Sequence, residues 1–354
     1  MGISEFGITY KGEKSPQRMA GLAQLAEDAG FEYCWSYDSH VLWKECYAML
    51  THVLDNTENM KVGPLVTNPE IRDVTVTASL FASMNQIAPG RAEIGIGRGD
   101  SSLRMLGKSP VPWYDFEEKV DLIRDLHAGR TIQHPDTGED VTLTWTDTEL
   151  FTWVAAYGPK MLEVAGKMAD GLVLQISDPF LVGWFIDQVR EGAEKHGRDP
   201  DEIKVMSCAP VWLSDDIEEC REHVKWFPAM VGNHVADLVD EHHKGDQLPD
   251  ELTDYIQARK GEGAEGGYDY EEHAETDAEH LDFLEGQEQI IDRFSIVGTA
   301  EDHVEKLKKL GDKGVDQFNI YLISGDAARH VEEYGKKIVP EFISGKDYAE
   351  TGVE

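Results

Sequence analysis

Asp100 stands within a run, residues 91–107, that reads R-A-E-I-G-I-G-R-G-D-S-S-L-R-M-L-G. Ile94 and Ile96 alternate with small residues as a short strand does, and Gly95, Gly97 and Gly99 then interrupt the pattern ahead of the carboxylate. Glycines at a strand end let backbone approach a flat ligand, so Asp100 beyond them is a candidate proton-handling group. The plain alternative is an Asp that caps the next helix. Arg98, between the glycines, carries the planar fork that binds a carboxylate or phosphate, or that pairs with Asp100 or Asp38. A second cluster, Asp38, Ser39 and His40 with Trp43 close behind, ends the aromatic-rich run 31–38. An imidazole suits proton transfer near neutral pH, which makes His40 a candidate beside Asp38; a structural histidine under the rim is the alternative. Trp35, Trp43 and Trp113 could stack on a flat ring or fill core.

Groups so placed need a frame that gathers several strand ends. Strand patterns fall at 6–10, 31–38, 60–66, 92–97, 151–156, 170–176, 203–213 and 316–323, with helical patterns between them. Ser15-Pro16 supplies an N-cap and first-turn proline for a helix with an apolar stripe of Met19, Leu22, Leu25 and Ala26, ended by Gly30. Further helices are expected near 73–87, 116–126, 157–169 and 178–196. Thr299 and Asp302 resemble a capping box, with Val304, Leu307 and Leu310 facing inward from the helix that follows. Residues 130–150 form a polar excursion around H-P-D-T-G-E-D, with V-T-L-T-W as a short outlying strand. Across 215–294 the rhythm lapses into acidic, helical sequence, expected as an insertion over the mouth that is either a lid or a partner surface. Alternating strands and helices in this number predict an α/β chain folded as a single (β/α)8 TIM barrel domain over 1–354, with the insertion after the seventh strand. A doubly wound sheet is the alternative, but the first βα turn has no G-x-G-x-x-G.

Composition narrows the partners. With 33 Lys+Arg against 68 Asp+Glu the net charge is −35, which repels nucleic acid and anionic membranes. The acidic residues are spread along a chain that keeps 41% hydrophobic residues, a pattern that fits a folded protein adapted to high salt. Cys34, Cys46, Cys208 and Cys220 form no C-x-x-C pair and are expected as reduced, mostly buried thiols. No apolar run reaches membrane-spanning length and no basic leader precedes the first strand, so a cytoplasmic protein is expected. His242-His243 suggests a solvated helix face and no metal, and the H-x-H of a barrel metal-hydrolase is missing from the early strands. A non-catalytic barrel that binds ligands through its acidic insertion is compatible with the same residues.

I-G-I-G-R-G-D at 94–100, A-A-Y-G-P-K-M-L-E-V-A-G-K-M-A-D-G-L at 155–172, and V-G-T-A-E-D-H-V-E-K-L with G-V-D-Q-F-N-I-Y-L within 297–322 resemble the luciferase-like flavin- or deazaflavin-dependent oxidoreductases, in particular the methylenetetrahydromethanopterin reductase branch. The resemblance spans nearly the whole chain. It implies a barrel, a homodimer or homotetramer, and a flat tricyclic coenzyme across the carboxyl-terminal mouth: coenzyme F420, with FMN as the alternative. It also implies hydride transfer to or from a small organic substrate, of the methylenetetrahydromethanopterin or methylenetetrahydrofolate reductase kind, with an FMN-dependent monooxygenase as the alternative. By position it implies that Asp38 and the Ser39–Trp43 stretch flank the ring, with Val66, Thr67 and Asn68 beneath it and a non-proline cis peptide near 65–66; Gly97, by backbone approach, and Arg98, by its fork, are further candidates for coenzyme binding. Backbone at Ala156, Tyr157 and Gly158, with Lys160 and Met161, would take the phosphate, as a helix start suits an anion. The chain departs from these relatives at Thr9, where the reductases carry a glutamate. It departs again at Ser39 and Arg98, where related dehydrogenases carry His and Glu.

Overall fold

In chain order the strands are β1 (Glu5–Tyr10), β2 (Tyr33–Ser36), β3 (Lys61–Pro64), β4 (Ile94–Ile96), β5 (Ile132–Gln133), β6 (Asp140–Val141), β7 (Thr152–Ala155), β8 (Gly171–Leu174), β9 (Lys204–Leu213), β10 (Ile296–Gly298) and β11 (Gln317–Tyr321). They belong to a computed structural model that describes residues 2–228, 288–322 and 325–343. Eight of them run parallel in the order β3-β2-β1-β11-β9-β8-β7-β4. The two ends of that row meet through main-chain bonds: Val62 N–H to Arg91 O (2.7 Å), Glu93 N–H to Val62 O (2.9 Å), Thr67 N–H to Gly95 O (2.8 Å) and Gly97 N–H to Thr67 O (2.8 Å). The predicted TIM barrel is therefore closed, and every parallel edge is used.

Size complementarity fills the barrel. Trp35 and Trp153 are fully buried and meet edge to face at 6.2 Å, with Tyr33 stacked on Trp35 at 5.6 Å. Their neighbours in register are Gly63 and Gly171. A Cβ on Gly63 would lie 2.4 Å from the Trp35 ring, and one on Gly171 would lie 2.2 Å from the Trp153 ring. The same region is polar: Glu93 accepts from Trp153 Nε1 (2.6 Å) and Lys61 Nζ (2.8 Å), and Lys204 Nζ meets Glu5 at 2.6 Å. The buried Glu93 carboxylate persists there because each of its oxygens has a donor beside it.

Helices start where the caps predict. Ser15 accepts from Arg18 N–H ahead of Pro16–Asp28, Asp178 from Leu181 N–H ahead of Pro179–Lys195, and Thr299 and Asp302 exchange both capping-box bonds ahead of Ala300–Asp312. Within that last helix Leu307 and Leu310 are fully buried, as expected, while Val304 is only partly covered and His303 takes the inner position. Strands β2, β3 and β4 stop short of the predicted 38, 66 and 97, because those last residues leave the ladder to line the mouth. Two helices were not in the predicted pattern, Cys46–Asn56 and Asp100–Arg104. β5 and β6 make an antiparallel hairpin off the barrel, the polar excursion of the sequence.

β9 overruns the barrel, and its last residues pair with β10 (Val211 with Ile296, Leu213 with Gly298). Helices Ile217–Val224 and Glu288–Phe294 flank this extension and are joined by Arg221 to Asp292 at 3.0 and 2.7 Å. The greater part of the expected insertion, with His242 and His243, lies outside the described residues. All four cysteines are free and buried. Among the described residues no helix is long and apolar enough to cross a membrane.

Candidate active site

The carboxyl ends of β2, β3, β4 and β7 bring the candidate residues to one mouth. After β2 the chain turns outward at Asp38, whose carboxylate is buried and receives three donors: Arg72 Nη1 at 2.6 Å, Arg72 Nη2 at 3.1 Å and Thr67 Oγ1 at 2.7 Å. Ser39 is nearly buried, and its hydroxyl lies 3.2 Å from that of Ser101. His40 is exposed. Trp43 is half-buried with Lys11 Nζ 5.5 Å above its ring, and its amide, like that of Leu42, donates to Ser39 O at 2.9 Å.

β3 ends in a cis peptide between Leu65 and Val66, at the predicted position. Asn68 donates to Ser102 Oγ at 2.9 Å and accepts from the Glu70 and Ile71 amides at 3.0 Å, which shapes the turn toward helix Val74–Ile87. β4 runs into Gly97, Arg98 and Gly99. A Cβ on Gly97 would press on Val66 at 3.0 Å. Gly99 has φ +86°, and a Cβ there would lie 2.7 Å from Leu103 and 2.9 Å from Asn68, so both space and backbone require glycine. Gly99 is also the N-cap of the short helix, so Asp100 occupies the first helical position and not the cap. The placement of the Asp100 side chain lies outside the described residues. Arg98 is exposed and donates from Nε to Val111 O at 2.5 Å; the partner of Asp38 is Arg72 instead.

β7 delivers Ala155, Ala156 and Tyr157 to the same mouth. The Tyr157 hydroxyl accepts from Gln175 N–H at 2.9 Å, and burial pushes its pKa up. Gly158 is the N-cap of helix Pro159–Met168, no side chain caps that end, and a Cβ on Gly158 would meet nothing within 4 Å. Pro159 brings no N–H, so the amides that no side chain caps are those of Lys160 and Met161; Lys160 is exposed, its ammonium 5.9 Å from the Trp113 ring. Met161 is buried behind it. Inside the barrel below, the Thr9 hydroxyl and the Trp35 Nε1–H, on residues paired in the β1–β2 register, have no hydrogen-bond partner among the described residues. Backbone and hydroxyls line the mouth, with His40, Arg98 and Lys160 exposed around it and two helix starts, at Gly99 and Gly158, that no side chain caps. Such a lining suits a flat, phosphate-bearing coenzyme: glycine backbone for the ring, free amides for the anion.

Sequence reasoning did not find Arg72, Glu45 or Tyr47. Arg72 comes 34 residues after its partner Asp38, inside an unremarked I-R-D ahead of a helix, and no spacing signal connects them. Nor does spacing show that Asp73, His134 and Asp136 bring ligand-type atoms within 4.8 Å of one another on the surface. Both His134 nitrogens are already engaged there, Nε2 with Asp73 at 2.9 Å and Nδ1 with the Asp136 amide at 3.2 Å.

Comparison with known proteins supplies the rest. The chain is 27% identical over 350 residues to a 5,10-methylenetetrahydromethanopterin reductase of Archaeoglobus fulgidus, covering 95% of this chain and 99% of that protein. It is 29% identical over 347 residues to the enzyme of the same name from Methanolobus tindarius, covering 96% and 99%. The solved structure of a coenzyme F420 dependent tetrahydromethanopterin reductase from Methanopyrus kandleri shares the fold, with a TM-score of 0.73 and 24% identity over 96% of this chain and 99% of that one. The family model of the luciferase-like monooxygenases matches residues 3–317, and the chain belongs to that family.

Proposed function

We propose that this protein is a coenzyme F420-dependent oxidoreductase that moves hydride between the deazaflavin and a small organic substrate, of the methylenetetrahydromethanopterin or methylenetetrahydrofolate reductase kind. The observation that carries the reading is the uncapped, open start of helix Pro159–Met168 beside the glycine-lined end of β4. The reductase names of relatives aligned along nearly the whole chain support the choice of coenzyme and substrate class. A bound deazaflavin would supply a two-electron hydride carrier that does not activate oxygen.

In this reading Gly97 and Val66 let the ring approach backbone, and Ser39, Trp43, Thr67, Asn68 and Arg98 border it. Ala156, Tyr157, Gly158, Lys160 and Met161 receive the phosphate. Asp100 and His40 handle protons or stabilise positive charge on the substrate. Asp38, held by three donors, serves as an anchor and not in proton transfer. Thr9, where the reductases carry a glutamate, puts no carboxylate at that position of the first strand, so proton handling falls to the β2 and β4 ends.

Calorimetric titration with F420 and FMN tests the assignment. Tight F420 binding without oxygen consumption is expected, and tight FMN binding with none for F420 would move the chain to the monooxygenase side of its family. Helix Val74–Ile87 has no charged side chain in a protein that is 29% charged, and it exposes Val76 and Ile87. Copies carrying −35 each repel elsewhere, so this face suits contact with a second copy in a homodimer or larger homo-oligomer. A cytoplasmic, salt-adapted protein fits the same charge, and unfolding followed against KCl checks it: stability should rise with salt.

A further inference from the structure

One guanidinium holds both ends of a single loop. Residues 38–45 carry Ser39, His40 and Trp43, yet the segment is neither strand nor helix; the Leu42 and Trp43 amides bond back to Ser39 O, and Lys44 bonds outward to Gly12 O and Glu13 O. Its first and last residues are carboxylates that converge on Arg72. Nη1 reaches Asp38 Oδ2 at 2.6 Å, Nη2 reaches Asp38 Oδ1 at 3.1 Å, and Nη2 also reaches Glu45 Oε1 at 2.8 Å.

Each contact is anchored again behind it. Asp38 Oδ2 also accepts from Thr67, whose main chain bridges to β4 through Gly95 O and Gly97 N–H. The other Glu45 oxygen caps helix Cys46–Asn56 through Ala48 N–H at 3.0 Å. The guanidinium carbon lies 4.6 Å over the Tyr47 ring, and the side chain is 16% exposed.

We propose that Arg72 is the positioning residue of this mouth: by joining Asp38 to Glu45 it sets the span of the loop that presents Ser39, His40 and Trp43, and through Thr67 it registers that loop against β4. This rests on the coenzyme reading of the mouth given above. The guanidinium bonds of Arg72 go to Asp38 and Glu45 at the β2 end, so its influence on binding is indirect. A planar fork that also stacks is needed, and lysine cannot reproduce two bonds to one carboxylate, a third to another and a flat face on Tyr47.

The test uses the full chain in molar KCl, with Arg72→Met and Arg72→Lys. Hydrogen exchange of amides 39–45 and the Kd for F420 are measured on both variants and on the unmodified protein. In Arg72→Met, exchange in 39–45 should rise while helices Pro16–Asp28 and Pro179–Lys195 exchange as before. The Kd should weaken on the order of tenfold, as when the orienting partner of a binding group is lost. Arg72→Lys should fall between, and it carries the test if Arg72→Met does not fold. Adding Glu45→Gln to Arg72→Met should weaken binding less than Glu45→Gln does alone, because both remove the same clamp. Unchanged exchange in 39–45, or exchange raised evenly over the whole barrel, overturns the clamp. Looser exchange with an unchanged Kd overturns the positioning role. Failure of the coenzyme reading shows itself separately, as absence of F420 binding by the unmodified protein.

Discussion

Replacing Gly158 with aspartate should push stability and coenzyme affinity in opposite directions. Gly158 has φ −79° and ψ 154°, a backbone open to any residue, and its missing Cβ would meet nothing within 4 Å. An Asp side chain there can cap helix Pro159–Met168, which now has no side-chain cap. Relative to Gly the cap adds a few tenths of a kcal/mol, and a carboxylate at a helix start adds about 0.3–1 kcal/mol. Over a chain of 354 residues the protein without coenzyme should therefore melt about 1–2 °C higher. The same carboxylate occupies the amides assigned to the phosphate and repels it. Losing two charge-assisted hydrogen bonds of about 1.5–3 kcal/mol each predicts a Kd weaker by roughly 10²–10⁴. Melting scans and fluorescence titration with F420 on one preparation read both effects. Gly158→Ala, which caps nothing, should resemble the unmodified protein, and a deazaflavin lacking its phosphate should bind Gly158→Asp and the unmodified protein alike. A folded, stabilised Gly158→Asp with unchanged F420 affinity would refute the reasoning, because the phosphate would then be held elsewhere.

Asp100→Asn should lower kcat by roughly 10²–10⁴ with little change in coenzyme Kd; normal turnover removes Asp100 from the catalytic list. Burial holds His303 near a pKa of about 4, below its ordinary value, while its ring nitrogens bond Tyr334 and the Trp212 carbonyl. Its unfolded form takes up a proton near pH 6.5, so its share of stability is whole above that pH and is lost as pH falls toward 4, on the order of 3 kcal/mol. His303→Gln should flatten melting temperature against pH between those limits, and a parallel curve counts against this assignment. The homo-oligomer proposed through helix Val74–Ile87 should sediment as monomer at high KCl once Val76→Glu and Ile87→Glu are introduced; an unmodified protein that is already monomeric, or a variant of unchanged mass, counts against that contact.

The barrel was legible in the chain because its strands are short apolar runs punctuated by glycine, proline and polar caps. Ser15-Pro16, Asp178-Pro179 and Thr299 with Asp302 name helix starts through neighbours a few residues away, and a local signal survives in a linear text. The glycine-rich end of β4 and the Y-G-P-K-M helix start were visible for the same reason. Closure of the ring was not legible: the bonds that join Val62 and Thr67 to the β4 edge follow from the curvature of the whole sheet. Neither was the matching of Trp35 with Gly63 and of Trp153 with Gly171, since the register across two strands decides which residues meet. Nor were the partners of Asp38, since folding brings Arg72 and Thr67 onto it from 34 and 29 residues away. Residue types and short spacings determine which elements form and where they begin. Which side chains end up sharing a proton or a charge depends on strand order and barrel closure, and those join residues whose separation along the chain carries no signal.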